Sequence, residues 1–561
     1  MTGPFYLTPG QAVPKIKLMT TTPGTPSPPP PPASRGASTG RKTAQVILFV
    51  LLSRVLGVVR SMVVAHVFGQ SGVTDIYNRA FAVPDLMYLL LAGGALSAVF
   101  QPIFIEYIVK QGEREGWRIL GRVATLAACA ALVLVGLAEV FAYPLSRFTA
   151  ASFPEEQVQQ MVPLTRILLP SQFFFFVGGL FIAALQARDK WLIPNLAPLV
   201  YNAGIILGAI GFGAKYGPAA LTIGAVTGAC LGNFLLPLFA LIRDGGSIAP
   251  SFDWKHPGVQ KFLQLLLPAM MGLGLSQLGF WMTGFFTKGD GSLTALKNGY
   301  ELTQAPIGIF AQASAIVLFP AMSRLATKED WPAFRYEVHH GIRRILFLTV
   351  PASLLMAVLA EPIITLLYAN NHLNAQGLPK FGPPEIAHAA SALRLYSVGT
   401  FAWSAQAVLG RGFFAMQDTK TPLSITKWMA VVLLSLLFLF SKVFNLPAGS
   451  LALAMSLVGT LNMGLLLAAL SKRLEGLGIA TIGRATARIA FSALVGAGVA
   501  YGIVSVLYAL HPNPSRLASL ITLLIGGALG LGAYAGVCYI LRVPELKTVR
   551  AMLRPPKRNP A

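Results

Sequence analysis

The sequence contains little charge, and little of that charge is acidic. Only 12% of its 561 residues are Asp, Glu, Lys or Arg, and the mean hydropathy is +0.63, whereas a soluble domain carries roughly 25% charged residues. The 21 acidic residues are outnumbered by 44 Lys and Arg, which gives a formal net charge of +23. In a soluble protein this balance would indicate nucleic-acid binding, but here much of the basic charge lies in short loops between apolar segments. The composition therefore indicates an integral membrane protein without a nucleic-acid partner.

Cysteine and catalytic motifs are also scarce. Cys129, Cys230 and Cys538 all fall within apolar segments, which is typical of small buried residues rather than of a disulfide framework or a metal site. His339 and His340 lie next to each other before a basic segment, with no third metal ligand near them in the sequence. The sequence has no phosphate-binding P-loop. We therefore expect no enzyme activity, no metal site and no cofactor.

Apolar segments long enough to cross a bilayer recur along the chain. Because a helix needs about 20 apolar residues to cross the hydrocarbon and satisfies its own backbone there, we predict about fourteen helical spans. Residues 1–42 are rich in Pro, Ser, Thr and Gly and are predicted to form a disordered tail. The predicted spans 1 to 14 are 44–67, 76–108, 120–145, 160–186, 192–213, 218–242, 260–287, 292–323, 342–368, 386–415, 422–444, 448–471, 486–509 and 516–541.

Loop charge and a weak repeat predict the topology. With the N-terminus in the cytoplasm, the cytoplasmic segments hold roughly 30 Lys and Arg and the external ones roughly 6, which follows the positive-inside rule. Both termini are then cytoplasmic. Two segments about 230 residues apart, "AALQARDKWLIP" and "FFAMQDTKTP", are alike. In each of them a span ends in a short polar turn and the next span begins with a proline, which is the kind of internal repeat that transporters contain. We predict two parallel six-span lobes and two further spans, and the predicted segments after the tail are 43–245, 246–475, 476–545 and a basic cytoplasmic tail at 546–561.

Several charged residues fall inside these spans, where each charge costs at least about 2.5 kcal/mol. Arg54 and Arg60 lie in span 1, which has no acid of its own. Their six-residue spacing corresponds to about 9 Å of helix rise, so both can border one cavity. Two further pairs are spaced i, i+4 and can meet on one helix face: Asp75 with Arg79 in span 2, and Lys297 with Glu301 in span 8.

Two interpretations of these charges stay open. The i, i+4 pairs could be closed and only fix the packing, or the surplus of four bases over two acids could line a wet cavity for an anion. Asp85 would reduce that surplus if it faces inward. Arginine suits a phosphate group because its planar fork binds two oxygens at once.

Three stretches, taken together, resemble one known family. They are "SRVLGVVR" with the following "FGQSGVTDIYNRAFAVPDLMYLLLAGGALSAVFQPIFIEY", "LTRILLP" through "ALQARDKWLIPNLAPLVYN", and "ALRLYSVGTFAWSAQAVLGRGFFAMQDTKTPL". In this order and with this number of spans, they resemble the MurJ/MviN lipid II flippases. The resemblance implies the all-α MOP-type exporter fold, with two six-helix lobes and two C-terminal helices. It also implies a task, which is to move an undecaprenyl-diphosphate-linked peptidoglycan precursor from the inner to the outer leaflet of the bacterial cytoplasmic membrane.

The resemblance implies roles for single residues. In the family, arginines of helix 1 and an aspartate early in helix 2 matter for function, and Arg54, Arg60 and Asp75 match them. Asn202 matches a polar cavity position of helix 5. An aspartate of helix 7, which binds sodium in some relatives, aligns with Thr283, so sodium coupling is not expected here.

Other positions depart from the family. Its helix-2 cation is Ala82 here, and its helix-8 arginine is Glu301. We expect Arg79 and Lys297, each about one turn away, to replace these cations at the substrate site, with Glu301 holding Lys297 in place. The candidate substrate-binding residues are thus Arg54, Arg60, Asp75, Arg79, Asn202, Lys297 and Glu301.

The sequence leaves alternatives open. The chain could export another polyprenyl-linked glycan, or it could be a MATE-like efflux transporter, although export of cations favours a net acidic or aromatic cavity. A membrane enzyme or scaffold would need a catalytic constellation in the loops, and none is visible in the sequence. The expected partners are the lipid bilayer and a lipid-linked anionic precursor, and the oligomeric state stays open, a monomer included.

Overall fold

A computed structural model describes residues 35–91, 95–274, 278–373, 379–416, 418–511 and 515–546. Val46–Ala561 form one compact unit. The residues up to Gln45 form a second unit, of which only the helical backbone of residues 35–45 is described. The predicted tails lie outside the described residues up to position 34 and from position 547 onward.

Helices make up almost all of the described chain, and each predicted span corresponds to one helix or to a short series of helices. Nine of these helices or helix series in the described residues are long and apolar enough to cross a bilayer. The prediction of an all-α membrane fold is therefore confirmed. The first half contains α1 (Arg35–Phe68), α2 (Gly72–Ala80), α3 (Ala82–Leu91), α4 (Ala95–Gln111), α5 (Glu113–Val140), α6 (Ala142–Thr149), α7 (Glu155–Leu168), α8 (Ser171–Ala187), α9 (Leu192–Tyr216), α10 (Pro218–Ala229) and α11 (Leu236–Arg243).

The second half has the same character. Its helices are α12 (Pro257–Gly274), α13 (Leu278–Thr283), α14 (Ser292–Pro306), α15 (Ala313–Thr327), α16 (Trp331–Val358), α17 (Ala360–Tyr368), α18 (Pro383–Ala415), α19 (Lys420–Phe438), α20 (Gly449–Arg473), α21 (Ile479–Leu510) and α22 (Arg516–Ile540). One-turn π-helical segments at Cys230–Leu235, Ile307–Gln312 and Leu439–Val443 continue spans 6, 8 and 11.

Span 2 is interrupted near its first proline, Pro84. The break between α2 and α3 lies at Phe81, three residues before Pro84. Pro84 is therefore in the first turn of α3, where a missing backbone N–H costs no intrahelical hydrogen bond. Gly93 and Gly94, a second place where this span can bend, lie outside the described residues.

A small β-hairpin between spans 9 and 10 was not predicted. Strand β1 (Asn370–Leu373) pairs antiparallel with β2 (Pro379–Phe381). The hairpin is fastened to the end of α1, since Nζ of Lys380 donates to the carbonyl oxygen of Val67 at 2.7 Å. A side chain on Gly69, which has φ +74°, would overlap the Lys380 carbonyl. We call this side of the bundle, with loops 69–71, 150–154 and 287–291 and the hairpin, the hairpin end.

At the opposite end, ion pairs join loops of the first half. Nε of Arg188 lies 2.6 Å from Oδ2 of Asp244, and Nζ of Lys190 lies 2.9 Å from Oδ1 of the same residue. The hydrogen bonds from Lys190 and Arg188 hold the pKa of Asp244 below its usual range. Arg188 also reaches Oε1 of Glu113 at 3.1 Å. These contacts fix the ends of spans 3, 4 and 6 to one another.

Each half has its own apolar core. Around Phe104, Phe181 and Phe262, spans 2, 3, 4 and 6 pack with the first helix of span 7. Around Phe413 and Tyr534, spans 9, 10 and 12 pack with spans 13 and 14. The first of these cores thus includes α12 of the second half, and a further apolar cluster joins span 1 to spans 8, 9 and 10. Polar groups of spans 1, 2 and 8 also meet between the halves.

Candidate substrate cavity between the two halves

Span 8 carries a series of polar contacts that runs from the hairpin end into the bundle. Its helix α14 begins with the backbone N–H groups of its first turn, continues with Lys297 and Glu301, and leads to Gly308 in the π-helical segment. Each of these positions meets a polar group of span 1 or span 2. The predicted site residues are therefore brought together, but with partners that differ from the predicted ones.

Asp75 caps α14 from the other half. Its Oδ2 accepts hydrogen bonds from the backbone N–H groups of Gly291 at 2.9 Å and Leu293 at 3.2 Å. Its Oδ1 accepts from the backbone N–H and the hydroxyl of Thr294, both at 2.7 Å. A carboxylate at a helix N-terminus satisfies N–H groups that have no partner within the helix and also interacts favourably with the helix dipole. Asp75 is completely buried in this contact.

Arg79 does not pair with Asp75, so the closed i, i+4 pair, one of the two interpretations left open, does not form. The Arg79 side chain is buried and donates through Nε to the carbonyl oxygen of Thr149 at 2.8 Å. Its guanidinium carbon lies 4.8 Å from the ring centroid of Phe285. The spacing allowed an ion pair, but the α14 amides take the carboxylate and the loop carbonyl takes the guanidinium. Arg79 therefore joins α2 to the end of α6 and to span 7.

Lys297 faces span 2 rather than its neighbour in sequence. Its Nζ donates to Oδ1 of Asn78 at 2.6 Å and lies 5.8 Å from the ring centroid of Tyr77 and 5.9 Å from that of Phe81. The amide of Asn78 in turn donates to the hydroxyl of Thr294 at 3.0 Å. Asn78 therefore connects the lysine to the helix cap, which the sequence alone did not indicate.

Glu301 pairs with Arg60, so the predicted Lys297–Glu301 pair is also wrong. Nη2 of Arg60 lies 2.8 Å from Oε1 of Glu301, and Nη1 donates to Oδ1 of Asn202 at 3.0 Å. The hydroxyl of Ser61 donates to the other oxygen of Glu301. Arg60 and Glu301 remain 19% and 20% exposed, so water reaches this ion pair. Two of the candidate site residues, Arg60 and Asn202, are thus in direct contact.

Arg54 lies deeper along the same interface. A Cβ atom on Gly308 would lie 2.9 Å from Nε of Arg54, so the arginine packs against the π-helical segment of span 8. This Nε is buried and has no hydrogen-bond partner among the described residues. Of the seven predicted site residues, Arg54 is thus the one with an unsatisfied buried donor in the part of the chain that the structure describes.

Asp85 is the cavity acid that sequence reasoning left undecided. It lies in electrostatic range of Lys297, Arg79 and Arg60, yet its side chain is exposed. A residue that is surrounded by charged groups of several spans and still exposed must face an internal cavity. We therefore take the cations Arg54, Arg60 and Lys297 and the acids Glu301 and Asp85 as the charged residues of a candidate cavity in the described part of the chain.

The contacts also define which end of the cavity is closed. In the described residues, hydrogen bonds between the first half and residues from 288 onward occur at the hairpin end and in the layer of Arg60. Gln157, for example, donates to the carbonyl of Gly289 at 2.9 Å. The Asp75 cap belongs to the same layer of contacts. We infer from these bonds that spans 1, 2 and 4 close against span 8 and the hairpin at this end, whereas α12 and the loop before it join the first half at the opposite end.

Comparison with known proteins decides the family. A family profile described as lipid II flippase MurJ matches residues 64–515. The chain belongs to the MurJ lipid II flippase family. It is 29% identical to a probable lipid II flippase MurJ of Vibrio cholerae over 89% of this chain and 95% of that protein. It is 27% identical to the lipid II flippase MurJ of Burkholderia cenocepacia over 76% of this chain and 82% of that protein.

Solved structures agree on the fold. A structure of lipid II flippase MurJ in an inward closed conformation matches with a TM-score of 0.71 at 22% identity and covers 89% of this chain and 99% of its own. An inward-facing multidrug resistance MATE family transporter of the MOP superfamily matches with a TM-score of 0.63 at 13% identity, covering 77% of this chain and 98% of its own. The expected MOP-type fold is confirmed, and MurJ membership makes the chain a transporter rather than an enzyme.

Proposed function

We propose that this chain moves a lipid-linked diphosphate precursor of peptidoglycan from the inner to the outer leaflet of the bacterial cytoplasmic membrane by alternating access. The observation that carries the proposal is the group of cations Arg54, Arg60 and Lys297 in a cavity between the two halves. An anionic headgroup in such a cavity gains charge-assisted hydrogen bonds that a neutral solute does not. The relatives that are named lipid II flippases support the choice of substrate.

The proposed orientation places the hairpin end outside and both termini in the cytoplasm. The excess of Lys and Arg in the loops of the opposite end supports it through the positive-inside rule. In this orientation, the described state is sealed toward the outside. The cavity would then receive its substrate from the cytoplasmic leaflet.

We further propose that substrate binding and the closure of the hairpin end compete for Arg60. In the absence of substrate, Arg60 holds Glu301 of the other half. A diphosphate that binds the Arg60 fork replaces Glu301 and so removes one contact between the halves. Because a ligand shifts a conformational equilibrium only through its different affinity for the two states, this exchange favours opening on the far side. Asp75 and Arg79 would act as positioning residues, since both are already bonded to the protein.

Complementation tests the proposal directly. A bacterium depleted of its own lipid II flippase should grow when it expresses this chain, but not when it expresses Arg54→Ala or Arg60→Ala at the same protein level. Lysine at either position keeps the charge but loses the two-pronged geometry, so it should rescue only in part. Arg166→Ala is the matched control, because it also removes an arginine from a span. The Arg166 side chain is 54% exposed, and the ion pair recorded for it joins its Nε to Oε2 of Glu139 at 3.9 Å and involves none of the candidate site residues. Full growth with both cavity alanine variants would show that the cations do not hold the substrate.

A further inference from the structure

Asp85 is the cavity carboxylate whose binding capacity the protein itself leaves unused. Asp75 accepts four hydrogen bonds at the α14 cap, and Glu301 is held by Arg60 and Ser61. Within the described residues, the Asp85 side chain makes no hydrogen bond and no ion pair. Lys297 is its nearest candidate partner, but that ammonium group is directed to Asn78. Asp85 is therefore exposed, charged and available to a ligand.

Aromatic rings continue the cavity wall beside Asp85. Tyr88 lies three residues later in α3, on the same helix face, and is 43% exposed. Its ring centroid lies 5.7 Å from that of Phe175, and Phe175 lies 5.5 Å from Tyr201. Tyr201 is in electrostatic range of Arg60, so this row of rings leads to the cation site. A carboxylate beside exposed aromatic faces is the usual environment for binding an ammonium group, which gains both an ion pair and a cation–π contact.

The charge balance of the cavity points the same way. Among the described residues of the candidate cavity, three cations and two acids leave a surplus of one positive charge. Glu301 is paired with Arg60, whereas Asp85 has no ion-pair partner there. Such a cavity matches a headgroup that carries both anionic phosphate and a cationic group. A purely anionic headgroup would gain nothing from Asp85 and would be repelled by it.

We propose that Asp85 and the ring of Tyr88 form a subsite for a primary ammonium group on the polar headgroup of the transported lipid, separate from the diphosphate site at Arg54 and Arg60. This proposal rests on the proposed function, because it assumes a lipid-linked anionic substrate. It adds that the free amine of the headgroup peptide is recognised as well as the diphosphate. The subsite belongs to α3 and the diphosphate site to span 1, so both subsites lie in the first half.

Two probe lipids and four protein forms test the subsite. The probes are a polyprenyl-diphosphate-linked disaccharide peptide with a free amine on its peptide, and the same molecule with that amine acetylated. Affinities are measured for the full chain in nanodiscs, for the wild type and for Asp85→Asn, Tyr88→Leu and the control Glu139→Gln, whose carboxylate is away from the cavity. We expect the wild type and the control to bind the free-amine lipid about tenfold more tightly than the acetylated one, as the loss of a charged hydrogen bond would imply.

Asp85→Asn should remove this preference, because it weakens binding of the free-amine lipid and relieves the repulsion of the acetylated one, and Tyr88→Leu should reduce the preference. Equal affinity of the wild type for both lipids would overturn the subsite without any variant. An equal change for both lipids in Asp85→Asn would also overturn it, because Asp85 would then act only through the general field of the cavity or through folding. If the wild type bound neither lipid, the proposed function itself would be wrong, so the two failures are distinguishable.

Discussion

Asp75 and Arg79 are four residues apart on one short helix, yet each binds a different part of the protein. The carboxylate caps α14, and the guanidinium holds the carbonyl of Thr149. Neither residue has bonding capacity left to hold a ligand as tightly as Arg54 or Lys297 could. Their importance would then lie in closing the hairpin end, and that role can be separated from binding by experiment.

Removal of the Asp75 carboxylate should open the hairpin end. Asp75→Ala leaves the first N–H groups of α14 without partners, which costs about 1–2 kcal/mol and should shift the closed population roughly tenfold. Spin labels at the exposed positions Val73 and Lys288 would report the change as a longer distance between the halves. Asp290→Ala is the matched control, since its Oδ1 accepts only from the backbone N–H of Ser292 in its own loop, at 3.1 Å. Identical distance distributions in Asp75→Ala and the wild type would show that the hydrogen bonds of Asp75 to α14 do not hold the hairpin end closed.

Substitution of Arg79 should affect stability rather than substrate affinity. Arg79→Lys loses the fork on the Thr149 carbonyl and part of the contact with Phe285, so the free energy of unfolding should fall by about 2 kcal/mol. Gly284→Ala should act alike, because a Cβ there would overlap the guanidinium, whereas Gly279→Ala meets only flexible side-chain ends. Thermal unfolding in detergent and lipid affinity are measured on the same samples. If Arg79→Lys kept a normal melting temperature but bound the lipid more weakly, Arg79 would be a substrate-binding residue and not a structural one.

The sequence reveals which charged residues are unusual in a membrane span, but not which groups they contact. It identified Arg54, Arg60, Asp75 and Lys297 as unusual, because each is costly in a bilayer. It could not assign their partners, because i, i+4 spacing describes one helix and the contacts that form are between helices. Asn78 was missed since a neutral amide in a span gives no charge signal.

At the scale of elements, the pattern of apolar segments was sufficient to place the helices. Each predicted span has its counterpart, because roughly 20 apolar residues between polar turns leave few alternatives in a bilayer. The interruptions within the spans could not be predicted from the sequence. The break at Phe81 and the π-helical segment at Ile307–Gln312 depend on what packs against the helix, and the hairpin is too short to give a period-two pattern.

Spans 13 and 14 pack closely against each other at glycine residues. A Cβ on Gly496 of α21 would lie 2.5 Å from the backbone oxygen of Gly530 of α22, and backbone cannot move aside as a side chain can. We expect Gly496→Ala to push the two helices apart and to lower the free energy of unfolding by about 1–3 kcal/mol. Gly498→Ala is its control two residues on, because nothing lies within 4 Å of a Cβ there. Equal melting temperatures for both variants would show that the pair is held mainly by other contacts.

At the scale of the whole molecule, each half has a large apolar core, and a layer of polar and charged contacts joins spans 1 and 2 to span 8. Repacking a core is costly, whereas ion pairs such as Arg60–Glu301 and caps such as Asp75 on α14 can be exchanged for ligand contacts or water. We therefore expect the two sides of the site to move as packed units, because rearrangement within a packed core would cost more free energy than the exchange of these polar contacts. The MOP-type fold could be predicted from the resemblance, but the closed hairpin end could not, since one sequence serves every state of the cycle.

The direction of transport should follow the membrane potential. Moving one net negative charge outward from a cytoplasm that is 100 mV negative releases about 2.3 kcal/mol, which corresponds to roughly 50-fold accumulation at equilibrium. The family resemblance predicts Thr283 at the position of a sodium-binding aspartate, and the Thr283 hydroxyl donates within its own helix to the carbonyl of Phe280 at 2.6 Å. We therefore expect proteoliposomes with a valinomycin-clamped potassium gradient to flip a lipid-linked diphosphate in sodium-free buffer, with the rate and the final distribution rising with the imposed potential. Vesicles with Arg60→Ala protein, and vesicles without a gradient, are the controls. Flipping that required sodium and ignored collapse of the potential would show that another ion gradient drives this transporter.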